Sequence, residues 1–117
     1  MKICLIDDDA LVRDALTFSL ADAGHEVMAA DNGAAGLAAL AAGGADVVVT
    51  DLKMSGVGGA DVAAAVRRLY PQMAIVLISG QLPAGQDGGA DVSLQKPFTA
   101  RQLLTAIEAA RAKRKDA

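Results

Sequence analysis

Three short apolar runs constrain the fold of this chain more than any other feature of its sequence. They are KICLI (2–6), ADVVVT (45–50) and AIVLIS (74–79), and they are rich in valine and isoleucine. Strands that are buried on both faces have this composition, and such strands occur in parallel sheets that are covered by helices. The sequence therefore predicts a parallel sheet within an α/β domain.

Two weaker strands and four helices complete the predicted pattern. The strands are HEVMAA (25–30) and DVSL (91–94), and apolar residues at helical spacing predict helices over 10–23, 33–42, 59–70 and 100–114. Strand and helix alternate, which indicates a doubly wound sheet. We expect the following residues on the buried helix faces: Val12, Ala15, Leu16, Ser19 and Ala23; Leu37, Leu40 and Ala41; Val62, Val66 and Leu69; Leu103, Leu104 and Ile107.

The ends of these helices carry recognisable signals. Asp9 is expected to cap the first helix, either Asp31 or Asn32 the second, and Thr99 with Gln102 forms a capping box for the last. The connection between the fourth and fifth strands is different. Its sequence, GQLPAGQDGGA (80–90), holds four glycines and a proline. A parallel crossover needs about a dozen residues, so this connection is near the minimum length. Its glycines and proline disfavour a helix, so it should hold at most one irregular turn of helix.

Length and composition limit the class of protein. With 117 residues the chain is expected to form a single domain over 1–117. Its net charge of −3 predicts no binding to nucleic acid or membrane by this chain alone. A lone cysteine, Cys4, favours a reducing compartment, so a cytoplasmic location is expected. The basic run RAKRK (111–115) lies where the last helix should end, so it complements the helix dipole, or alternatively forms a binding patch.

Polar side chains follow several predicted strands at the point where each strand ends. Asp7, Asp8 and Asp9 come after the first strand, and Thr50 and Asp51 end the third. Further along the chain, Ser79 ends the fourth strand and Lys96 follows the fifth. In open α/β sheets the ligand site lies at the carboxyl ends of the strands, so these groups should meet there.

The crowded carboxylates predict a bound cation. Two carboxylates about 4 Å apart repel by roughly 4 kcal/mol at a surface-like dielectric, and a divalent ion removes this repulsion. A small set of oxygen ligands suits Mg²⁺, which often awaits a phosphate oxygen as a further ligand. A serine hydroxyl and a lysine are suited to hold the remaining phosphate oxygens. The residues therefore predict a magnesium-dependent site for a phosphoryl group.

Simpler explanations exist for the same residues. A helix cap accounts well for Asp9 and less well for Asp7 and Asp8. Ser79 has an alternative role in a turn, and Lys96 has one as a solvated lysine. The proline after Lys96 suggests a cis peptide bond that fixes the direction of the lysine side chain.

In combination these motifs resemble the receiver domain of two-component response regulators, over nearly the whole chain. The motifs are DDD after the first strand, TDLKMSG after the third, ISG ending the fourth and QKPF after the fifth. The resemblance implies a flavodoxin-like five-stranded sheet in the order 2-1-3-4-5. It also implies a sensor histidine kinase or phosphotransfer protein as partner, and an unknown downstream protein.

The same resemblance implies a role for six residues. Asp51 accepts the phosphoryl group from a phosphohistidine, Ser79 captures a phosphoryl oxygen and Lys96 pairs with the phosphate. Asp8 binds Mg²⁺ directly, Asp7 binds it through water, and Asp51 with the main-chain carbonyl of Lys53 completes the protein ligands.

Three departures from the family pattern bear on signalling. Ser55 replaces a usual proline, and Ser93 replaces the usual tyrosine or phenylalanine that couples phosphorylation to the output face. The segment from Ser79 to Lys96 is also short, so the fourth helix of the family should be shortened or irregular here.

Two other functions compete with this interpretation. One is a receiver-like interaction module that no longer cycles phosphate. The other is a haloacid-dehalogenase-type phosphatase, since DDD contains the D-x-D of that family; only Glu108 and Asp116 follow the lysine as candidates for its later acidic motif. We expect no enzymatic turnover beyond magnesium-dependent self-phosphorylation and slow self-dephosphorylation.

Overall fold

A computed structural model describes residues 1–54, 56–80 and 88–115, and within them it contains five strands and four helices. The strands are β1 (Lys2–Ile6), β2 (Glu26–Ala30), β3 (Val47–Asp51), β4 (Ala74–Ser79) and β5 (Val92–Gln95). The helices are α1 (Ala10–Asp22), α2 (Gly33–Gly43), α3 (Gly59–Leu69) and α4 (Ala100–Lys115). Every strand and helix predicted from the sequence is present, with its ends displaced by no more than two residues.

The strands form one parallel sheet in the order β2-β1-β3-β4-β5. This confirms the flavodoxin-like topology. The central strand β3 is buried along its whole length, as is β4, because helices cover both faces of the sheet. That double burial is the reason why these runs show no alternation of polar and apolar residues.

Each face of the sheet has its own hydrophobic layer. One layer packs β1, β3 and β4 against α1 and α4, through residues such as Leu5, Leu20 and Ile107. The other packs the same strands against α2 and α3, through residues such as Ile6 and Val62. Successive strand residues enter opposite layers, so each apolar strand serves both cores.

The predicted helix faces were partly wrong. In α1 the buried residue is Leu20, whereas Ala15 and Ala23 are exposed. In α2 and α3, Ala41 is exposed and Leu69 is 57% exposed, although Leu40, Val62 and Val66 are buried as predicted. The alanines are exposed because an alanine buries little apolar area and so constrains the helix orientation weakly. Leu69 is the last residue of α3 and lies where the helix ends.

The predicted caps are confirmed. The Asp9 carboxylate accepts hydrogen bonds from the backbone N–H groups of Leu11 and Val12 at 3.0 and 3.3 Å. Of the two candidates for α2, Asn32 is the cap. Thr99 and Gln102 exchange hydrogen bonds of 2.8 and 3.0 Å between side chain and backbone, which is the reciprocal pattern of a capping box.

The connection between β4 and β5 is described only at its ends. The predicted irregular turn of helix falls on residues 81–87, which lie outside the described residues, as does Ser55. At the far end, Gly88 and Gly89 have φ values of 65° and 89°. Gly88 lies against the backbone of Ala60 in α3, so that a side chain there would collide with a carbonyl group.

Two glycines hold helices close to the strands that carry the polar edge. Gly36 of α2 lies directly on the side chain of Ile6, the last residue of β1. Gly59 begins α3 against the end of β3: a Cβ there would collide with the Asp51 carbonyl oxygen and would lie 2.7 Å from Leu52 Cα. The Gly59 N–H donates to the Leu52 carbonyl at 2.8 Å, which fixes this approach.

We therefore expect Gly59→Ala to destabilise the domain by about 1–3 kcal/mol, because the added methyl group meets backbone that cannot rotate away. Gly58→Ala is the matched control. Its Cβ would lie 3.6 Å from the nearest atom, an ordinary contact, and its φ of −75° suits alanine. Gly58 is also the N-cap of α3, where alanine is less favourable than glycine, so Gly58→Ala should cost about 0.5–1 kcal/mol, less than Gly59→Ala. Urea denaturation of both variants measures the difference, and equal stability would contradict the close approach.

Candidate functional site

Four strands deliver polar side chains to one edge of the sheet, as predicted. Asp7 follows β1, Asp51 and Ser79 are the last residues of β3 and β4, and Lys96 follows β5. Asp7, Asp51 and Ser79 are buried, at 0, 8 and 3% exposure. Buried polar groups need partners, because an unpaired charge in the interior is costly.

Lys96 supplies the positive charge at this edge. Its ammonium nitrogen lies 3.5 Å from Asp7 Oδ2 and 3.6 Å from Asp51 Oδ1, so it bridges the two buried carboxylates. The Lys96 backbone N–H donates to the Ser79 carbonyl at 2.7 Å, which joins the end of β5 to the end of β4. The Lys96–Pro97 peptide bond is cis, as its sequence suggests.

Asp7 is held from several directions. Its backbone N–H donates to the Ala30 carbonyl at 3.1 Å, and its carbonyl accepts from Arg13 Nη1 at 2.9 Å. The Asp9 N–H donates to Asp7 Oδ1 at 2.9 Å, which leaves Oδ2 directed toward Lys96. Arg13 was not predicted from the sequence. It occurs one turn into α1, and only the position of that helix against β1 brings it to the Asp7 backbone.

Three carboxylates lie close enough to share one cation. Oxygen atoms of Asp7, Asp8 and Asp51 all lie within 4.8 Å of one another. Asp8 is exposed while the other two are buried, so the cluster opens to solvent on one side. Within the described residues the Lys96 ammonium contacts two of these carboxylates, those of Asp7 and Asp51, and the all-oxygen donor set of the three acids fits a hard divalent ion such as Mg²⁺.

Lys53 is the remaining residue that is predicted to bind the metal ion. It lies in the loop that follows β3, and it is exposed. Its predicted contribution is a main-chain carbonyl. That role, like the individual roles of the other site residues, stays a prediction. Asp9, in contrast, is engaged with the first turn of α1, which agrees with its interpretation as a cap.

The charge distribution alters the acidity of Asp51. Burial raises the pKa of its carboxyl above the usual range for aspartate, and the nearby carboxylates of Asp7 and Asp8 add to this increase. The Lys96 ammonium opposes it, both by its charge and by a hydrogen bond, without cancelling it. The carboxylate form of Asp51 is therefore at a disadvantage in the folded protein until further positive charge arrives.

The family follows from a comparison with known proteins. A model of the response regulator receiver domain matches residues 3–108. The chain belongs to this family. Receiver domains bind Mg²⁺ at an acidic pocket, and the cluster of Asp7, Asp8 and Asp51 could hold a metal ion.

Individual relatives agree with the family assignment. Response regulator protein FleR of Pseudomonas aeruginosa is 34% identical over 112 residues, which cover 91% of this receiver domain and 24% of FleR. The chain thus spans about a quarter of that relative's length. Among solved structures, the chemotaxis protein CheY4 of Vibrio cholerae superimposes with a TM-score of 0.88 at 29% identity, covering 93% of this chain and 97% of that one.

A second solved structure is informative about ligands. The response regulator TrrA of Thermotoga maritima, in complex with Mg²⁺–BeF, is 26% identical with a TM-score of 0.86, covering 93% of this chain and 97% of that one.

In the part of this receiver domain that the structure describes, no helix has the length and apolar character needed to cross a membrane.

The raised pKa of Asp51 predicts how stability depends on pH. Between the ordinary aspartate pKa, about 3.9, and the raised value, the folded state binds more protons than the unfolded state. Stability should therefore fall as pH rises through that window. In metal-free buffer, Asp51→Asn should be more stable than the natural protein at pH 7, and the difference should vanish below the ordinary pKa.

Urea denaturation across this pH range measures the effect. Asp14→Asn, at an exposed position on α1, provides the control and should change little at any pH. A natural protein that is as stable as Asp51→Asn at pH 7 without metal would contradict the raised pKa of Asp51.

Proposed function

We propose that this receiver domain accepts a phosphoryl group on Asp51 from a phosphohistidine of a sensor histidine kinase or phosphotransfer protein. The observation that carries the proposal is the convergence of a buried carboxylate, an ammonium group and two further acids at one sheet edge. The acids can hold a divalent cation, and that cation together with the ammonium would neutralise the charge of a phosphoryl group. Phosphoryl transfer depends mainly on such positioning and charge stabilisation.

The proposed reaction is a direct displacement at phosphorus. A carboxylate oxygen of Asp51 forms the new P–O bond while the P–N bond of the phosphohistidine breaks, and the electron pair of that bond returns to the imidazole. The product is an acyl phosphate. Lys96 is already 3.6 Å from Asp51 Oδ1, so its ammonium can turn from the carboxylates to a phosphoryl oxygen. Ser79, at the end of the adjacent strand, is proposed to donate to another.

Mg²⁺ is the proposed cofactor. When bound, it supplies positive charge to the transferring phosphoryl oxygens and offsets the repulsion among the carboxylates. Asp8 and Asp51 are proposed as direct ligands, Asp7 as a ligand through water, and the Lys53 carbonyl as the remaining protein ligand. The complex of TrrA with Mg²⁺–BeF supports this assignment, because that relative shares the fold over nearly the whole chain.

The wider setting is proposed on the same basis. Residues 1–117 are proposed to form one receiver domain, located in the cytoplasm, that signals to a downstream protein through a change of its surface. Its own chemistry is limited to self-phosphorylation and slow self-dephosphorylation. Neither a haloacid-dehalogenase-type phosphatase nor a module without phosphate chemistry is favoured, because the family match and the assembled charged site both point to a receiver.

The proposed acceptor predicts that acetyl phosphate with Mg²⁺ adds one phosphoryl group to the natural protein, seen as a change of intact mass. Asp51→Asn should abolish this labelling, because the amide is a far weaker nucleophile than the carboxylate. Asp9→Asn is the control and should be labelled normally, since asparagine caps a helix as well as aspartate does. Labelling of Asp51→Asn at the natural rate would refute the acceptor. A folded natural protein that takes no label would favour the interaction module.

The proposed metal ligands predict different effects for neighbouring acids. Asp8→Asn should weaken Mg²⁺ binding by about tenfold or more, because it removes a negatively charged ligand. A loss of about 1.4 kcal/mol in binding free energy corresponds to a tenfold loss of affinity. Asp9→Asn should leave the affinity unchanged, because the Asp9 carboxylate is engaged with α1. Lys96→Ala should keep Mg²⁺ binding yet slow labelling. Calorimetric titration with Mg²⁺ measures these affinities, and equal losses at Asp8 and Asp9 would exclude the assignment.

A further inference from the structure

A second buried charge cluster lies around Asp91, where β4 and β5 begin, at the opposite end of the strands from the predicted site. The Asp91 side chain is 1% exposed and lies between two arginines. Arg67 Nη2 is 3.0 Å from Asp91 Oδ2, and Arg114 Nε is 2.7 Å from Asp91 Oδ1 as a charge contact without hydrogen-bond alignment. Lys113 Nζ donates to the Asp91 carbonyl at 3.2 Å. Asp91 therefore ties the start of β5 to both α3 and α4.

Asp91 also forms a pair of hydrogen bonds, here named a clasp, with Ile75 near the beginning of β4. Its backbone N–H donates to the Ile75 carbonyl at 2.9 Å, and its Oδ2 accepts from the Ile75 N–H at 2.8 Å. Arg67 reinforces this corner, since its guanidinium also donates to the Pro71 and Met73 carbonyls, each at 2.8 Å. The start of β5 is thus fixed against β4 by a charged group that is hydrogen-bonded on both sides.

The strand β5 needs such a fixed point more than the others do. It has four residues and lies at the edge of the sheet, and among the described strands it pairs with β4 alone. None of its residues is fully buried. Val92 and Leu94 pack against one hydrophobic layer, but both are only partly buried, so this apolar pattern specifies the register less strongly than full burial does in β3 and β4. Asp91 therefore adds a second register signal to a strand whose own signal is weak.

Lys96 lies at the other end of this same short strand. The register runs from Val76 opposite Val92 to Ser79 opposite Gln95, and the next residue is the lysine. A slip of one residue would displace Lys96 by about 3.3 Å and turn alternate side chains to the other face. Its ammonium could not then remain between Asp7 and Asp51, at the 3.5 and 3.6 Å now observed.

The chain contains an internal comparison for this role. The five residues GGADV occur at 43–47, before β3, and again at 88–92, before β5. Asp46 makes the same clasp with Lys2, accepting from its N–H at 2.7 Å and donating to its carbonyl at 2.8 Å. Asp46 is exposed, and it forms no ion pair with any residue that the structure describes. Its strand β3 is completely buried between two neighbours, so it has register information of its own.

We propose that Asp91 is a positioning residue for Lys96: the buried Asp91–Arg67–Arg114 cluster sets the register of β5 against β4 and thereby places the lysine ammonium in the phosphoryl site. The reaction that Lys96 serves rests on the function proposed above. The placement of the lysine does not, so the two can be tested separately.

The test compares Asp91→Asn with the matched control Asp46→Asn, each alone and combined with Lys96→Ala. Asp91→Asn should slow labelling by acetyl phosphate by about tenfold to a hundredfold, as expected for a displaced site group. Mg²⁺ affinity should stay within about twofold, because the carboxylate cluster lies on β1 and β3. In the Lys96→Ala background, Asp91→Asn should cause no further loss. Asp46→Asn should leave labelling unchanged in both backgrounds.

A second measurement reads the lysine directly. Modification by acetic anhydride, followed by peptide mass mapping, should be faster at Lys96 in Asp91→Asn and unchanged in Asp46→Asn. The exposed Lys53 serves as internal reference. If the natural protein takes no phosphoryl label but Lys96 reacts faster in Asp91→Asn, the proposed function fails and the positioning role stands.

Other outcomes overturn the positioning role. They are an unchanged labelling rate in Asp91→Asn, an equal loss with and without Lys96, or a parallel loss of Mg²⁺ affinity. If Asp91→Asn does not fold, Arg114→Gln takes its place, because it removes one partner and keeps the clasp with Ile75. It should give the same pattern with a smaller loss, and natural labelling in Arg114→Gln with unchanged Lys96 reactivity would refute the proposal.

Discussion

A single ammonium group shared by two buried carboxylates is the interaction on which the site depends. Lys96 lies between Asp7 and Asp51, and a third acid, Asp8, stands nearby in solvent. Burial raises the pKa of Asp51, the neighbouring carboxylates of Asp7 and Asp8 raise it further, and the Lys96 ammonium only partly opposes them. A bound divalent cation would offset the repulsion among these acids, and in the proposed function Lys96 then pairs with a phosphoryl oxygen.

The two kinds of charge come from different parts of the sheet. The acids follow β1 and β3, which lie in the centre of the sheet and are held by both hydrophobic layers. The lysine follows β5, a short strand at the edge. The acidic half of the site is therefore positioned by burial, whereas the basic half relies on polar contacts: the Ser79 carbonyl at one end of the strand and the Asp91 cluster at the other.

The sequence predicted most of this arrangement and missed the parts that depend on side-chain direction. Continuous valine and isoleucine runs gave the central strands, and the position of the acids after them gave the site edge. The buried face of α1 was wrong at Ala15, because alanines constrain helix orientation weakly. The sequence predicts Asp91 only as the first residue of a strand, because its arginine partners lie 24 and 23 residues away along the chain. The repeated GGADV peptide was the signal available in the sequence.

The contact between Gly36 and Ile6 limits which sequences can preserve this site. Ile6 is followed at once by Asp7, so any side chain at position 36 would press on the strand end that carries a buried acid. A glycine with no functional group of its own thereby acquires the mutational intolerance of a catalytic position. In a mutagenesis survey scored by signalling, intolerance at such a site reports the spacing between a helix and a strand, not chemistry.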